Sequence, residues 1–192
     1  MSLKHDLDTE TVSLGFWIYL MTDCLLFASL FATYAVLRNG TAGSVSGSDI
    51  FDMNYVLWQT LALLTSSVTS GFALLSARAR QYNSTLLWLL ATIILGAIFL
   101  GLELNEFRTL ISDGHGWQTS AFLSAFFTLV GAHGLHIISG LIWATVLVCA
   151  FVIKGITERT IKKLVLFTLF WHFLDIIWIF IFTFVYAIGS VG

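Results

Sequence analysis

The chain has no proline among its 192 residues, only two cysteines, and charged side chains at 10% of positions. Each scarcity excludes something. Without proline, no helix is kinked or broken by a missing backbone donor. Cys24 and Cys149 both fall inside apolar stretches, where a thiol packs as a small hydrophobe, so a disulfide framework is not expected. A net charge of -2 and the absence of any dense basic run with interleaved aromatics leave no case for nucleic acid as a partner. Residues Met1 to Val12 are polar and lack the basic, apolar and small-residue succession of a cleavable signal, so the first apolar stretch is expected to be retained.

What is abundant is apolar surface. Hydrophobic residues make up 58% of the chain, and the mean hydropathy is +0.91. A soluble core cannot hide that much, so the solvent is largely lipid. Apolar runs bounded by charge delimit five spans, 14–37, 55–75, 86–104, 121–152 and 164–188. Each is long enough to cross a hydrocarbon layer that needs about 20 residues, some with tilt. Irregular backbone is forbidden in lipid unless protein covers it. The expected fold is therefore an all-α, polytopic bundle of five transmembrane helices, forming one domain over 1–192. A glycine- and serine-rich stretch from Arg38 to Asn54 is expected to be a loop between helices. No internal repeat is visible, which weighs against an inverted-repeat transporter.

Charge sets the expected orientation. With five spans, the N-terminus and the second and fourth loops share one side and hold Lys4, Arg78, Arg80, Lys154, Arg159, Lys162 and Lys163. Only Arg38 and Arg108 fall on the other side. Basic residues concentrate on the cytoplasmic side, which puts the N-terminus in the cytoplasm and the C-terminus outside. Trp17, Trp58, Trp88 and Trp117 lie near span ends, as interfacial anchors should.

Ionisable residues inside spans are costly and need partners or water. They are Asp23 in the first span, His133 and His136 in the fourth, and His172 and Asp175 in the fifth. All five count out near mid-membrane, and each close pair shares a helix face, so the two faces can meet. Such groups either relay protons or hydrogen-bond helices together, and the second role is favoured for all but Asp23, for which the two are balanced. His172 is the expected donor to Asp23. A haem between His172 and His133 or His136 meets the axial-ligand count, but a stacked pair of haems would need four histidines and the spans hold three. No thiolate stands at metal spacing beside these histidines, which disfavours zinc and copper. Glu103 and Glu106 close the third span beside Arg108 and are expected to be an interfacial charge cluster. Ser67, Ser70, Gly71, Gly131, Gly134 and Gly140 are expected at close helix contacts, or beside a shallow groove that admits a lipid tail.

Two segments then carry a resemblance. GAHGLHIISGLIW, Gly131 to Trp143, followed by WHFLDIIWIFIFTFVY, Trp171 to Tyr186, resembles the paired C-terminal signatures of haem-copper oxidase subunit III. The first span, GFWIYLMTDCLLFASLFATYAVL, resembles the family's helix with a membrane-buried carboxylate, and GLELNEF resembles a helix end with an acid before an aromatic. Asp23 occupies the carboxylate position, where cytochrome c oxidases typically carry glutamate; the shorter side chain needs a closer partner. Five spans rather than seven imply the quinol-oxidising branch of the cytochrome bo type. The resemblance implies an accessory subunit of a proton-pumping ubiquinol oxidase in a bacterial inner membrane, without a cofactor or catalytic residues of its own. It further implies subunits I, II and IV as partners, with haem and copper in subunit I, and bound phospholipid. Subunit III would stabilise the catalytic core and sustain its proton uptake. The alternatives are subunit III of a cytochrome c oxidase, a free-standing proton channel or transporter titrating at Asp23, His172 and Asp175, and a small cytochrome b.

Overall fold

The structure, a computed structural model, describes residues 2–40 and 52–189, with side chains from Thr11 onward in the first segment. Most of the glycine- and serine-rich loop therefore lies outside the described residues. Five α-helices follow one another: α1 (Ser2–Leu37), α2 (Met53–Arg78), α3 (Tyr82–Ser112), α4 (Ala121–Lys154) and α5 (Glu158–Ile181). All five are long and apolar enough to cross a membrane, and no strand occurs among the described residues. The chain is an all-α, membrane-spanning bundle. Three of its helices start where a side chain satisfies free backbone groups. Asp52 caps α2 by accepting from the Asn54 amide at 3.0 Å, and Ser120 caps α4 by accepting from the Leu123 amide at 3.2 Å. Thr157 and Thr160 form a reciprocal capping box at α5. Gly155 ends α4 at φ 66°, a conformation a β-carbon would strain.

The helices run beyond the apolar limits expected for them, because polar residues at a membrane boundary continue the backbone ladder at no cost. One departure from a plain bundle lies at the end of α5, where Phe182–Ala187 form a π-helix. The turns alternate between the two ends. Arg80, between α2 and α3, donates to the Ile156 carbonyl at 3.0 Å and pairs with Glu158, tying that turn to the one between α4 and α5. At the opposite end the Phe122 amide donates to the Gly40 carbonyl at 3.3 Å.

The core is centred on two tryptophans of α5. Trp171 is 1% exposed and lies between two glycines: a β-carbon on Gly96 of α3 would come within 2.9 Å of its ring, and one on Gly140 of α4 within 2.6 Å. Its indole N–H donates to Ser66 of α2 at 3.1 Å. Trp178, fully buried, donates to Thr60 of α2 at 3.0 Å and meets Phe99 edge-on at 4.7 Å. Each indole thus fills space and finds an acceptor, as buried tryptophan requires.

Candidate functional site

The intramembrane ionisable groups divide among three places. On the α1–α4 seam, Asp23 is 7% exposed and its Oδ1 lies 3.6 Å from His136 Nε2. That separation is too long for a hydrogen bond. The His136 ring is oriented by its other nitrogen, Nδ1, which donates to the Ala132 carbonyl at 2.7 Å. Tyr19, one turn earlier on α1, lies beside Asp23, whose Oδ2 has no partner. The partner of Asp23 is therefore His136 and not His172, as the sequence had suggested. The reason is packing: α1 lies chiefly against α4, so its inward face reaches the fourth helix.

His172 faces the other way. Its Nδ1 lies 2.5 Å from Ser67 Oγ of α2, and Asp175 sits beside the same serine and histidine. The His–His and His–Asp pairs thus address different seams, α1–α4 and α2–α5, instead of meeting. Even His133 and His136 part company. The His133 ring is fully buried, stacked on Trp178 at 5.3 Å and edge-on to Phe99 at 5.8 Å, and neither of its nitrogens has a partner. Among the described residues no group of three or more His, Cys, Asp or Glu side chains is arranged to hold a metal ion.

The third place is on α3, and it corrects the expectation of an interfacial charge cluster. Glu103 is 1% exposed and lies against α4, where a β-carbon on Gly134 would stand 2.9 Å from its Oε1. Glu106 Oε2 accepts from Gln59 Nε2 at 3.0 Å and from the Tyr186 hydroxyl at 3.2 Å. Arg108 is exposed and forms no ion pair with either acid. The helix continues to Ser112, and the two carboxyls meet α2, α4 and the π-helix.

The glycines expected at close contacts divide as well. Gly134 and Gly140 are tight, whereas Gly71 has nothing within 4 Å and Gly131 meets only Phe107, at 3.8 Å. Sequence reasoning did not single out Gln59, Tyr186, Thr60 and Ser66. The available signal was the run of polar residues at helical spacing in α2, Gln59, Thr60, Ser66, Ser67 and Ser70, all buried. A hydroxyl stripe in an apolar helix marks donors looking for it, here two indoles and a histidine.

Comparison with known proteins places the chain. The family model described as cytochrome c oxidase subunit III matches residues 4–190. The chain is 53% identical to a protein of Pseudomonas aeruginosa named cytochrome bo(3) ubiquinol oxidase subunit 3, over 97% of this chain and 88% of the relative. It is 44% identical to quinol oxidase subunit 3 of Bacillus subtilis, over 93% and 88%. It is 43% identical to cytochrome c oxidase subunit 3 of the same organism, over 98% and 92%. With nearly the whole length matched by family and relatives alike, the chain belongs to the cytochrome c oxidase subunit III family.

Proposed function

We propose that the chain is the accessory third subunit of a proton-pumping ubiquinol oxidase of the cytochrome bo type. It sits in a bacterial inner membrane with its N-terminus cytoplasmic and its C-terminus periplasmic, beside subunits I, II and IV. The observation that carries the reading is the 53% identity to a ubiquinol oxidase subunit 3 along almost the entire chain. The two Bacillus subtilis relatives, one a quinol and one a cytochrome c oxidase subunit, are equally similar within a percentage point. They keep cytochrome c as the competing donor.

In this reading haem, copper and the electron donor belong to subunit I, and the chain contributes a scaffold as one domain. The contact of Asp23 with His136 and the hydrogen bond of His172 to Ser67, beside Asp175, hold helices together at membrane depth, where an interhelical hydrogen bond contributes about 0.6–2 kcal/mol. The orientation follows from the basic turns: the contact of Arg80 with Glu158 and Ile156 gathers the second and fourth loops at one end. A groove of about 440 Å³ between α1 and the end of α5 supports bound phospholipid. Ala28, Ala32 and Ala35 with Phe31, Phe180 and Phe184 suit an acyl chain, and Arg38 at its end suits a phosphate.

The test is to tag the chain in its host, purify it in mild detergent and record the reduced-minus-oxidised spectrum beside a denaturing gel. Haem bands with a large partner that oxidises ubiquinol are expected. Oxidation of cytochrome c instead would move the chain to the competing branch, and haem with this chain alone would favour a small cytochrome. Absence of both haem and partner, with proton flux in liposomes abolished by Asp23→Asn, would favour the channel.

A further inference from the structure

Glu103 and Glu106 stand three positions apart on α3 with opposite surroundings. Glu106 Oε2 receives two hydrogen bonds, from Gln59 and Tyr186. Glu103 is buried with neither carboxyl oxygen partnered, pressed against the backbone of Gly134. Hydrogen-bond donors favour the charged form of a carboxyl, whereas a carboxyl buried without donors is stable only as the neutral acid. A second observation points to the same place. Gln59 is fully buried and donates its amide N–H to Glu106, while its Oε1 has no partner. The site therefore holds an unpartnered acceptor on Gln59 and an unpartnered carboxyl on Glu103.

The π-helix supplies the connection outward. It carries Tyr186, fully buried, onto Glu106. Tyr34 of α1 meets Phe122 of α4 at 6.1 Å, Tyr186 meets Phe126 one turn further along α4 at 5.8 Å, and Tyr34 and Arg38 line one groove. Of the other groups packed around the pair, Tyr55 of α2 donates to the Leu102 carbonyl at 2.8 Å and receives Asn105 Nδ2 at 3.2 Å. On α4, His133 adjoins Gly134 but packs its ring among aromatics.

We propose that Glu103 and Glu106 form a buried proton-binding site, acid on Glu103 and carboxylate on Glu106, that exchanges one proton with the Arg38 end of the bundle through Tyr186 and bridging water. In the transfer the O–H bond of Glu103 breaks, and a water accepts that proton and gives one of its own to Glu106. Glu106 passes a proton to the Tyr186 oxygen as the Tyr186 O–H bond breaks and its proton goes to water at the Arg38 end; the return of one proton by the same steps restores Glu103. No electron changes hands. The ligand is a proton, and the site is separate from the Asp23 and Asp175 seams.

The test is infrared spectroscopy of the purified oxidase complex in H2O and D2O, with haem content as the check on assembly. A protonated-carboxyl C=O band that shifts in D2O is expected to vanish in Glu103→Gln and persist in Glu106→Gln. Tyr186→Phe is expected to keep the band and slow its exchange several-fold. An unchanged spectrum in Glu103→Gln overturns the site, and unchanged exchange in Tyr186→Phe overturns the route. Should Glu103→Gln not assemble, Glu103→Asp retains the acid and is expected to move the band; an unmoved band again overturns the proposal.

Discussion

Helix α1 and helix α5 are both apolar spans of one chain, yet they are held in different ways. Only 22% of the most apolar stretch of α1 is buried, against 50% for α2 and for α5 with its π-helical end. Along α1, Leu14, Met21 and Leu25 face outward, Leu25 at 72% exposure, and the inward face holds Asp23 at 3.6 Å from His136. Along α5, Trp171, Leu174, Trp178 and Ile181 are buried, and two indoles are anchored to hydroxyls of α2. In lipid there is no hydrophobic drive between helices, so close packing and interhelical hydrogen bonds decide which contacts persist. By that standard α5 belongs to the core of this chain, and α1 leaves most of its surface for whatever lies beside it.

The largest losses are expected on the densely packed side. Trp171→Ala removes a buried ring wedged between Gly96 and Gly140 and leaves the Ser66 hydroxyl without its indole donor. A loss of about 3–5 kcal/mol is expected, read as a lowered thermal midpoint of the detergent-solubilised chain. A stability close to the parent would mean that α5 is not the packing centre. Next in size, Gly140→Val forces methyl groups into the Trp171 ring and is expected to cost about 1–3 kcal/mol. Gly71→Val, where a β-carbon meets nothing within 4 Å, is the control and should be nearly neutral in the same melt.

On the sparse side the effects are expected to be smaller and to depend on assembly. Asp23→Ala takes away the contact to His136, and a cost of about 1 kcal/mol is expected. In the complex it should weaken assembly or shorten working life more than it lowers the initial rate. Immediate loss of oxidase turnover in a normally assembled complex would instead make Asp23 a proton-transfer group. The smallest effect is expected from Leu25→Ala: within about 0.5 kcal/mol for the isolated chain, as for exposed substitutions generally. If a partner subunit covers α1, the same change should be larger in the assembled oxidase, and equal effects in both would assign that face to lipid.

Much of this architecture was legible in advance because lipid imposes it. Five long apolar runs without proline can satisfy their backbone only as helices, and all five appear as helices that run past the apolar limits. The signatures at Gly131–Trp143 and Trp171–Tyr186 lie on the two helices expected to hold them, and the family follows from them. The pairing of polar groups was not legible. His172 and His136 count out at similar depth, so depth alone made either a candidate for Asp23; helix rotation chose His136. Glu103 illustrates the same gap. Counted from the end of an apolar run it belongs at an interface, but α3 extends onward to Ser112 and the carboxyl is enclosed.

What the sequence determined by itself, then, is everything that depends on position along the chain: which segments cross the membrane, where the basic turns fall, and which family the signatures belong to. Solvation acts on each segment separately and can be read one segment at a time. What only the tertiary structure decided is everything that depends on rotation about a helix axis and on which neighbour fills the space: Asp23 with His136, His172 with Ser67, Glu106 with Gln59 and Tyr186. A helix places polar groups on a face, but every face in a five-helix bundle has more than one possible neighbour. Packing of the large rings, Trp171 between two glycines above all, selects among them.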